Sequence, residues 1–155
     1  GRTRELQAFH WVGQVPDPES EDTFASSKLN WELQKNDWHR LLWEFHRELL
    51  RMRREIPALA SLDLEAVDAT VLPNERTLRM RRGSKGVRVI AVFQFGEQAE
   101  GVSIEIPAGR WQKVLDSATQ RWGSAGSEIP EVLESAGTMH LRLQPSSVFV
   151  VSESK

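Results

Sequence analysis

The 155-residue sequence contains no cysteine and no tyrosine, and it has no apolar run of about 20 residues, the length that a membrane helix needs. The absence of cysteine excludes disulfides, thiolate metal sites and cysteine nucleophiles, and it is typical of proteins of a reducing compartment. The first ten residues also lack the apolar core of a signal peptide. We therefore expect a cytoplasmic protein that does not enter a membrane.

A charge excess of one sign is also lacking, because 20 basic and 22 acidic side chains give a formal net charge of -2. This balance excludes a basic nucleic-acid arm and an acidic tail. One basic cluster surrounds a predicted hairpin and consists of Arg79, Arg81, Arg82, Lys85 and Arg88. Alternation places Arg79 and Arg81 opposite Leu78 and Met80, which is typical of a solvated strand edge. No glycine-rich phosphate loop accompanies the cluster, so we expect no nucleic-acid partner.

The sequence has little that could hold a metal or catalyse a reaction. Its four histidines form no HExxH motif and no i, i+4 pair. An acidic group has the 1, 3, 5 spacing of a calcium loop, but the required glycine and bidentate glutamate are replaced by Asp22 and Lys28. The group lies on a predicted loop without the rigid support that catalytic carboxylates need, and it comprises Asp17, Glu19, Glu21 and Asp22. We predict no catalytic residue, no metal and no cofactor.

The sequence is rich in aromatic residues at its beginning, where Phe9, Trp11, Phe24 and Trp31 fall within the first 31 residues. Disordered leaders are poor in such residues. The segment is therefore predicted to pack against a surface. Because the sequence opens without methionine, we expect Gly1 to be a boundary left by processing, proteolysis or cloning.

Residues 37–54 have the apolar period of a helix. The main stripe consists of Trp38, Leu41, Leu42, Phe45, Leu49 and Met52. Projected at about 100 degrees per residue, Trp43 and Leu50 form a separate flank. Two apolar flanks predict two packing partners for one long helix.

After residue 58 the apolar period changes to two, which predicts strands bounded by Gly, Pro and Ser clusters. The boundary between the helical and β parts is expected at 58–64. The predicted strands cover residues 66–72, 77–82, 87–95, 101–106, 111–115, 139–143 and 147–151, with turns at 82–86 and 107–109. Strand 87–95 is apolar on both faces and is predicted to be central. Seven short strands favour a β-sandwich or an open barrel.

Two tryptophans in the β part are candidates for stacking on a sugar ring. Trp111 begins the apolar run WQKVL and is more typical of a core. Trp122 lies in the polar, glycine-containing run TQRWGSAG and is the better candidate for a glucan contact. Packing against a neighbouring loop is the favoured alternative for its ring.

Four runs of residues carry a family resemblance, in the order GRTREL, VPDPES, TFASSKLNW and LLWEFHRELLRMRREIPAL. Together they resemble the malto-oligosyl trehalose trehalohydrolases, which belong to the alpha-amylase-like family 13 of glycoside hydrolases. The later runs VIAVFQFGE, WQKVLDS and LQPSSVFVV are similar to the C-terminal β-sandwich of that family. Leu6 and Glu19 depart from the family pattern, which leaves activity on other glucans open.

The resemblance implies an α+β chain in which residues 1–58 are the last loop and eighth helix of a TIM-like catalytic barrel. Residues 59–155 are then an all-β C-terminal sandwich of about seven strands. The main helix stripe would contact barrel strands, and the flank of Trp43 and Leu50 would contact an adjacent helix or the C-terminal domain. The loop would rim the substrate cleft through Phe9 or Trp11. The catalytic carboxylates of the family would precede Gly1.

The resemblance further implies an enzyme that hydrolyses the alpha-1,4 bond next to the trehalose end of malto-oligosyl trehalose and releases trehalose. This chain would support the upstream barrel, and malto-oligosaccharide would meet the full enzyme. One alternative is a non-catalytic glucan-binding or supporting domain of another alpha-amylase-like enzyme, with Trp122 or Trp111 as the sugar contact. Another is a protein with neither role that folds through its sandwich alone.

Overall fold

The structure is a computed structural model that describes residues 16–63, 65–84 and 87–153. The chain divides into two compact units, residues 1–36 and 37–155. The long helix groups with the β part in this division. The expected boundary at residue 58, between the end of a catalytic barrel and a C-terminal β-domain, stays a prediction.

The first unit contains the short helix α1, Glu21–Ser27, and a 3-10 turn, Trp31–Lys35. The Ser20 side chain caps α1 by accepting a hydrogen bond from the backbone N–H of Asp22 at 3.2 Å. Glu21 and Asp22, expected on a loop, therefore form the first helical turn, where negative charge is favoured by the helix dipole. The rings of Phe24 and Trp31 are both exposed.

The second unit begins with helix α2, Asp37–Glu55, which confirms the predicted helix to within one residue. A short helix α3, Pro57–Ala60, follows with proline in its first turn. Proline has no backbone N–H and cannot continue the hydrogen-bond ladder of the preceding helix. The chain therefore ends α2 at a position that the local sequence specifies.

The β part is a single antiparallel sheet with the strand order β1-β2-β3-β6-β4-β5. The strands are β1 Val67–Val71, β2 Thr77–Ser84, β3 Val87–Gln94, β4 Glu100–Asp116, β5 Val132–Leu143 and β6 Ser147–Glu153. The α+β class with an all-β second part is confirmed. Within the described ranges the sheet has six strands, where about seven were expected.

The strand count differs because the predicted strands 101–106 and 111–115 are one continuous strand, β4. The predicted turn at 107–109 is wrong, since β4 pairs with β5 on both sides of a bulge between Ile106 and Gly109. Gly109 has a φ of 141°, which favours glycine, and the indole N–H of Trp111 donates to the Pro107 carbonyl at 2.9 Å. The bulge accommodates Pro107, so β4 continues past this residue.

Both faces of the sheet are buried near its centre. Because side chains alternate along a strand, Ile90 and Val92 of β3 point to one face and Val89 and Ala91 to the other, and all four are buried. This confirms that β3 is a central strand. The first core lies on one face of the sheet and includes Trp111, Ile104, Ile106, Leu133 and Val151. The second lies under α2 and α3 and includes Met52, Ala58, Ala91, Leu115 and Val150.

Candidate functional site

Helix α2 presents apolar side chains well beyond the surface that the sheet covers. At about 100 degrees per residue its apolar residues span an arc of about 200 degrees. The part with Phe45 and Met52 packs in the second core. The remainder, which we name the outer face of α2, is exposed by 65% at Trp38, 44% at Leu42, 48% at Trp43, 38% at Leu49 and 57% at Leu50.

The packing partners of the two predicted flanks of α2 therefore differ from the expectation. The C-terminal domain was one predicted partner of Trp43 and Leu50, and this is wrong, because both side chains are exposed. Phe45 and Met52 of the main stripe pack against the sheet instead. The apolar period identifies which residues share one face of the helix, but the surface that each face contacts depends on the tertiary structure.

A charged border lies beside the outer face of α2. The guanidinium of Arg47 lies over the Trp43 ring at 4.6 Å from its centroid. The carboxylate of Glu48 accepts from two nitrogens of Arg51, at 2.6 and 3.0 Å, and Arg51 also pairs with Glu55. An apolar centre with a charged rim is the composition of a protein interface.

Trp122, the predicted glucan contact, lies at the end of a short 3-10 turn, Gln120–Trp122. Its ring is half-buried and meets the ring of Phe45 edge to face, with centroids 5.1 Å apart. The Arg121 guanidinium lies 4.3 Å from the Trp122 centroid. A sugar stacked on the ring face that Arg121 covers would have to displace it. The partner that the described geometry gives Trp122 is α2.

The other predicted contact residues, Phe9 and Trp11, lie outside the described residues. Of the acidic loop, Asp17 accepts the backbone N–H of Glu19 at 3.0 Å, and both are exposed. No group of three or more His, Asp or Glu side chains that could hold a metal occurs within residues 16–63, 65–84 and 87–153. In the same residues no helix is long and apolar enough to cross a membrane.

The arginine cluster of β2 and β3 is not the solvated edge that alternation predicted. Strand β2 lies between β1 and β3, and the Arg79 side chain is only 6% exposed. Its guanidinium donates to the Glu105 carboxylate at 2.6 Å and to Thr70 at 3.2 Å, with Asp68 at 3.4 Å. Arg79 thus connects β2 to β4, which are not neighbours in the sheet.

The other described arginines of that cluster also have partners within the protein. Arg81 donates to Asp68 at 2.9 Å, Arg82 to the Ser61 carbonyl at 2.6 Å, and Arg88 to Glu153 at 2.6 Å. A phosphate would compete with these contacts. The sequence did not predict the pairing of Asp68 with Arg81 across β1 and β2, because the register between two strands cannot be read from the sequence of one strand alone.

Three carboxyl groups in the described part of the chain have a lowered pKa. Hydrogen bonds from Arg51, Arg79 and Arg88 are the largest causes of the low pKa values of Glu48, Glu105 and Glu153 respectively. A glycosidase general acid needs a raised pKa, so that it holds its proton near neutral pH. These three carboxyl groups have the opposite property and act as anchors for arginine.

The lowered pKa values predict a loss of stability in acid. A carboxyl group with a lowered folded-state pKa stabilises the fold fully above its ordinary value of 4.5, and this contribution is lost as pH falls through the lowered value. We expect the free energy of unfolding of wild type, measured by urea titration, to fall between about pH 6 and about pH 3.

The Arg88→Gln variant should show a smaller fall over the same range, because Glu153 loses the partner that lowers its pKa. Arg110→Gln serves as the matched control, since it breaks an exposed pair of 3.6 Å with Glu134. Equal pH slopes for wild type and Arg88→Gln would contradict the assignment of the Glu153 pKa to Arg88.

Comparison with known proteins identifies relatives for part of the chain, although no protein-family model matches it. The chain is 37% identical over 94 residues to malto-oligosyltrehalose trehalohydrolase of Rhizobium sp. (strain M-11), covering 60% of this chain and 15% of that enzyme. It is 43% identical over 61 residues to the trehalohydrolase of Deinococcus radiodurans, covering 38% and 10%. It is also 26% identical over 141 residues to the 1,4-alpha-glucan branching enzyme of Bradyrhizobium diazoefficiens, covering 78% and 20%.

Solved structures show a similar fold. A putative alpha amylase from Salmonella typhimurium matches with a TM-score of 0.65 and 21% identity, over 99% of this chain and 22% of that one. The trehalulose synthase MutB of Pseudomonas mesoacidophila MX-45 matches with a TM-score of 0.51 and 18% identity, over 82% and 21%.

These matches share one class: the chain is similar to alpha-amylase-like enzymes of glycoside hydrolase family 13. Within that class, the predicted resemblance to malto-oligosyltrehalose trehalohydrolases is confirmed by several such relatives. The chain spans 10 to 15% of the length of the trehalohydrolases named above. The activity of a whole enzyme is therefore a separate question from the fold of this part.

Proposed function

We propose that this chain is the C-terminal part of a cytoplasmic glycoside hydrolase that cleaves the alpha-1,4 bond next to the trehalose end of malto-oligosyl trehalose. In this proposal the chain supports a catalytic barrel that precedes it. Residues 1–58 complete the barrel, and residues 59–155 form the C-terminal β-domain. Phe9 and Trp11 rim the substrate cleft, a role that the sequence resemblance alone supports.

The observation that carries the support role is the outer face of α2. Five large apolar side chains on one helix are exposed by 38 to 65%, although the adjoining part of the same apolar arc is packed on the sheet. Exposed apolar area of this extent marks an interaction surface, because its removal from water contributes about 25 cal/mol per Å². The preceding barrel is the proposed occupant, since the named trehalohydrolases are more than six times longer than their match to this chain.

The DNA upstream of the Gly1 codon tests the proposal most directly. We expect a continuous reading frame that encodes a barrel with a pair of catalytic carboxylates. The polypeptide that begins with that barrel and ends at Lys155 should release trehalose from malto-oligosyl trehalose. An in-frame stop codon upstream, followed by a start codon directly before the Gly1 codon, would overturn the proposal.

The purified 155-residue chain is expected to release no trehalose from malto-oligosyl trehalose. A retaining glycosidase needs two carboxyl groups about 5 to 5.5 Å apart, one of them with a raised pKa. The three carboxyl groups with displaced pKa values in the described residues are held by arginine instead. Trehalose measured by chromatography above the level of a heat-denatured sample would contradict a purely supporting role.

A second candidate function follows from the branching-enzyme relative, which matches a larger share of this chain than the Rhizobium trehalohydrolase does. In that case the whole polypeptide would act on 1,4-alpha-glucan. The two candidates separate when the extended polypeptide is incubated with malto-oligosyl trehalose and with amylose. Trehalose release favours the first candidate, and new alpha-1,6 branches in amylose favour the second.

A further inference from the structure

Strand β1 forms one end of the sheet, and its outer edge is open. In the described part of the chain β1 pairs only with β2, and most of its residues are exposed. The backbone N–H of Leu72, directly after β1, donates to the Thr77 carbonyl of β2 at 2.8 Å. Since the backbone groups of successive residues point to opposite sides of a strand, every second residue before Leu72 also faces β2. The remaining residues have N–H and C=O groups that point to the open edge, and they are Val67, Ala69 and Val71.

The edge of β1 lacks the features that keep end strands from pairing with another chain. Its sequence, VDATV, contains no proline and no lysine, and its register with β2 runs without a bulge. Its one charge is balanced, because Asp68 accepts from Arg81 at 2.9 Å and from Arg79 at 3.4 Å. The strand at the other end of the sheet, β5, carries Glu134 and has Gly137 at a φ of 125°. Of the two end strands, β1 is therefore the one suited to pairing.

The sequence of β1 is complementary to itself in the antiparallel direction. When two copies meet with Ala69 opposite Ala69, Val67 lies opposite Val71 and Asp68 lies opposite Thr70. This register pairs all three outward residues of each copy and gives about six backbone hydrogen bonds. No two carboxylates are directly opposite, which would be unfavourable. The Thr70 hydroxyl accepts from Arg79 at 3.2 Å and retains its own proton to donate to Asp68 of the second copy.

We infer that the edge of β1 is the contact surface of a symmetric dimer, in which two copies of this chain join their sheets through antiparallel β1 strands. The twofold axis passes between the two Ala69 residues, and each copy uses the same surface, as in most homodimers. The joined sheet places Val67 of one copy beside Val71 of the other, a side chain that is 62% exposed in the single chain. The inference goes beyond the proposed function, because it concerns the association of the chain and not its reaction.

Charge substitutions at Ala69 test the register, because this exposed residue would face its own copy. Wild type is expected to rise from the chain mass of 17.7 kDa toward twice that mass between about 5 and about 500 μM in analytical ultracentrifugation, the behaviour of a small interface. Ala69→Lys and Ala69→Glu should each stay monomeric, since like charges then lie opposite each other. An equimolar mixture of the two variants should dimerise again. Ala136→Lys, at an exposed position of β5, is the matched control and should dimerise like wild type.

A cysteine at the same position tests the proximity of the two strands. The chain has no cysteine of its own, so Ala69→Cys can form a disulfide only with a second copy. The Cα atoms of a hydrogen-bonded antiparallel pair lie about 5.5 Å apart, which is within the range of a disulfide. We expect mild oxidation to form the covalent dimer about tenfold faster for Ala69→Cys than for Ala136→Cys, because the dimer holds the two thiols together. Electrophoresis without reductant measures both rates.

A chain that stays monomeric at every concentration would overturn the inference. A dimer that persists in Ala69→Lys would also overturn it, because another surface, such as the outer face of α2, would then join the copies. The mixture of the lysine and glutamate variants guards against misfolding as the cause of a monomer, and its failure to dimerise counts against the β1 register. Equal oxidation rates at the two cysteines have the same meaning. Trehalose release is not part of these readouts, so the proposed function is tested separately.

Discussion

Replacement of Trp111 by alanine is expected to lower the free energy of unfolding by about 4 kcal/mol, within the range for large aromatic residues deleted from a core. Trp111 has no exposed area and lies in the first core with Ile104, Ile106 and Leu133. Its indole N–H also binds the Pro107 carbonyl at the bulge of β4. The substitution thus opens a cavity and leaves a part-buried carbonyl without its donor.

Urea unfolding followed by circular dichroism measures this loss, because five tryptophans would remain to complicate fluorescence. Trp38→Ala is the matched control. Trp38 is 65% exposed on the outer face of α2, so its removal should change stability by less than about 0.5 kcal/mol. Similar losses for the two variants would show that burial in the first core is not what makes Trp111 important. Since a typical domain has only 5 to 15 kcal/mol of stability, Trp111→Ala is expected to unfold at much lower urea.

Lys113→Met is expected to lower the free energy of unfolding by about 3 kcal/mol, the scale on which breaking a buried ion pair destabilises a protein. The ammonium of Lys113 and the carboxylate of Asp116 lie 3.5 Å apart, with side chains 8% and 3% exposed. Lys113 also donates to the Ile129 carbonyl at 2.7 Å. Methionine keeps the apolar stem, but it leaves the Asp116 carboxylate buried beside no cation.

The double variant Lys113→Met/Asp116→Asn distinguishes a charge effect from a packing effect. Asparagine keeps the side-chain oxygen that accepts the backbone N–H of Ala118 at 3.0 Å and removes the buried charge. The double variant should therefore be more stable than Lys113→Met alone. Lys35→Met breaks the exposed pair with Glu32 and should change stability by less than about 1 kcal/mol. A double variant less stable than Lys113→Met would contradict the electrostatic explanation.

Helix α2 and the central strand β3 were predicted closely because their signals are local. An apolar period of 3.6 ends at a proline that cannot continue the helix, and β3 is apolar on both faces. The bulge of β4 was missed for the opposite reason. Pro107 and Gly109 are turn residues by local rule, yet both parts of β4 pair with the same partner, β5. A turn and a bulge have similar amino-acid composition. They differ in whether the residues on both sides pair with the same neighbouring strand.

Burial of charge was likewise decided by tertiary contacts. The alternation of Arg79 with Leu78 and Met80 correctly indicates two faces, but both faces of this sheet are covered near its centre. Arg79 is buried because Asp68 and Glu105 provide counter-charges, and Glu105 is 26 residues away in the chain. No pattern within β2 contains that information.

The sequence by itself determined the relationship to alpha-amylase-like enzymes, the limits of α2 and the β character of the second part, because each depends on residue identity and order over short segments. Only the tertiary structure decided which apolar side chains are covered. Phe45 and Met52 are packed while Trp43 and Leu50 of the same helix are exposed, and Ala91 of β3 is buried while Phe95, just beyond the end of that strand, is not. Apolar periodicity fixes the direction of a side chain, whereas burial requires a second surface at that place, and that surface is built from residues distant in the chain.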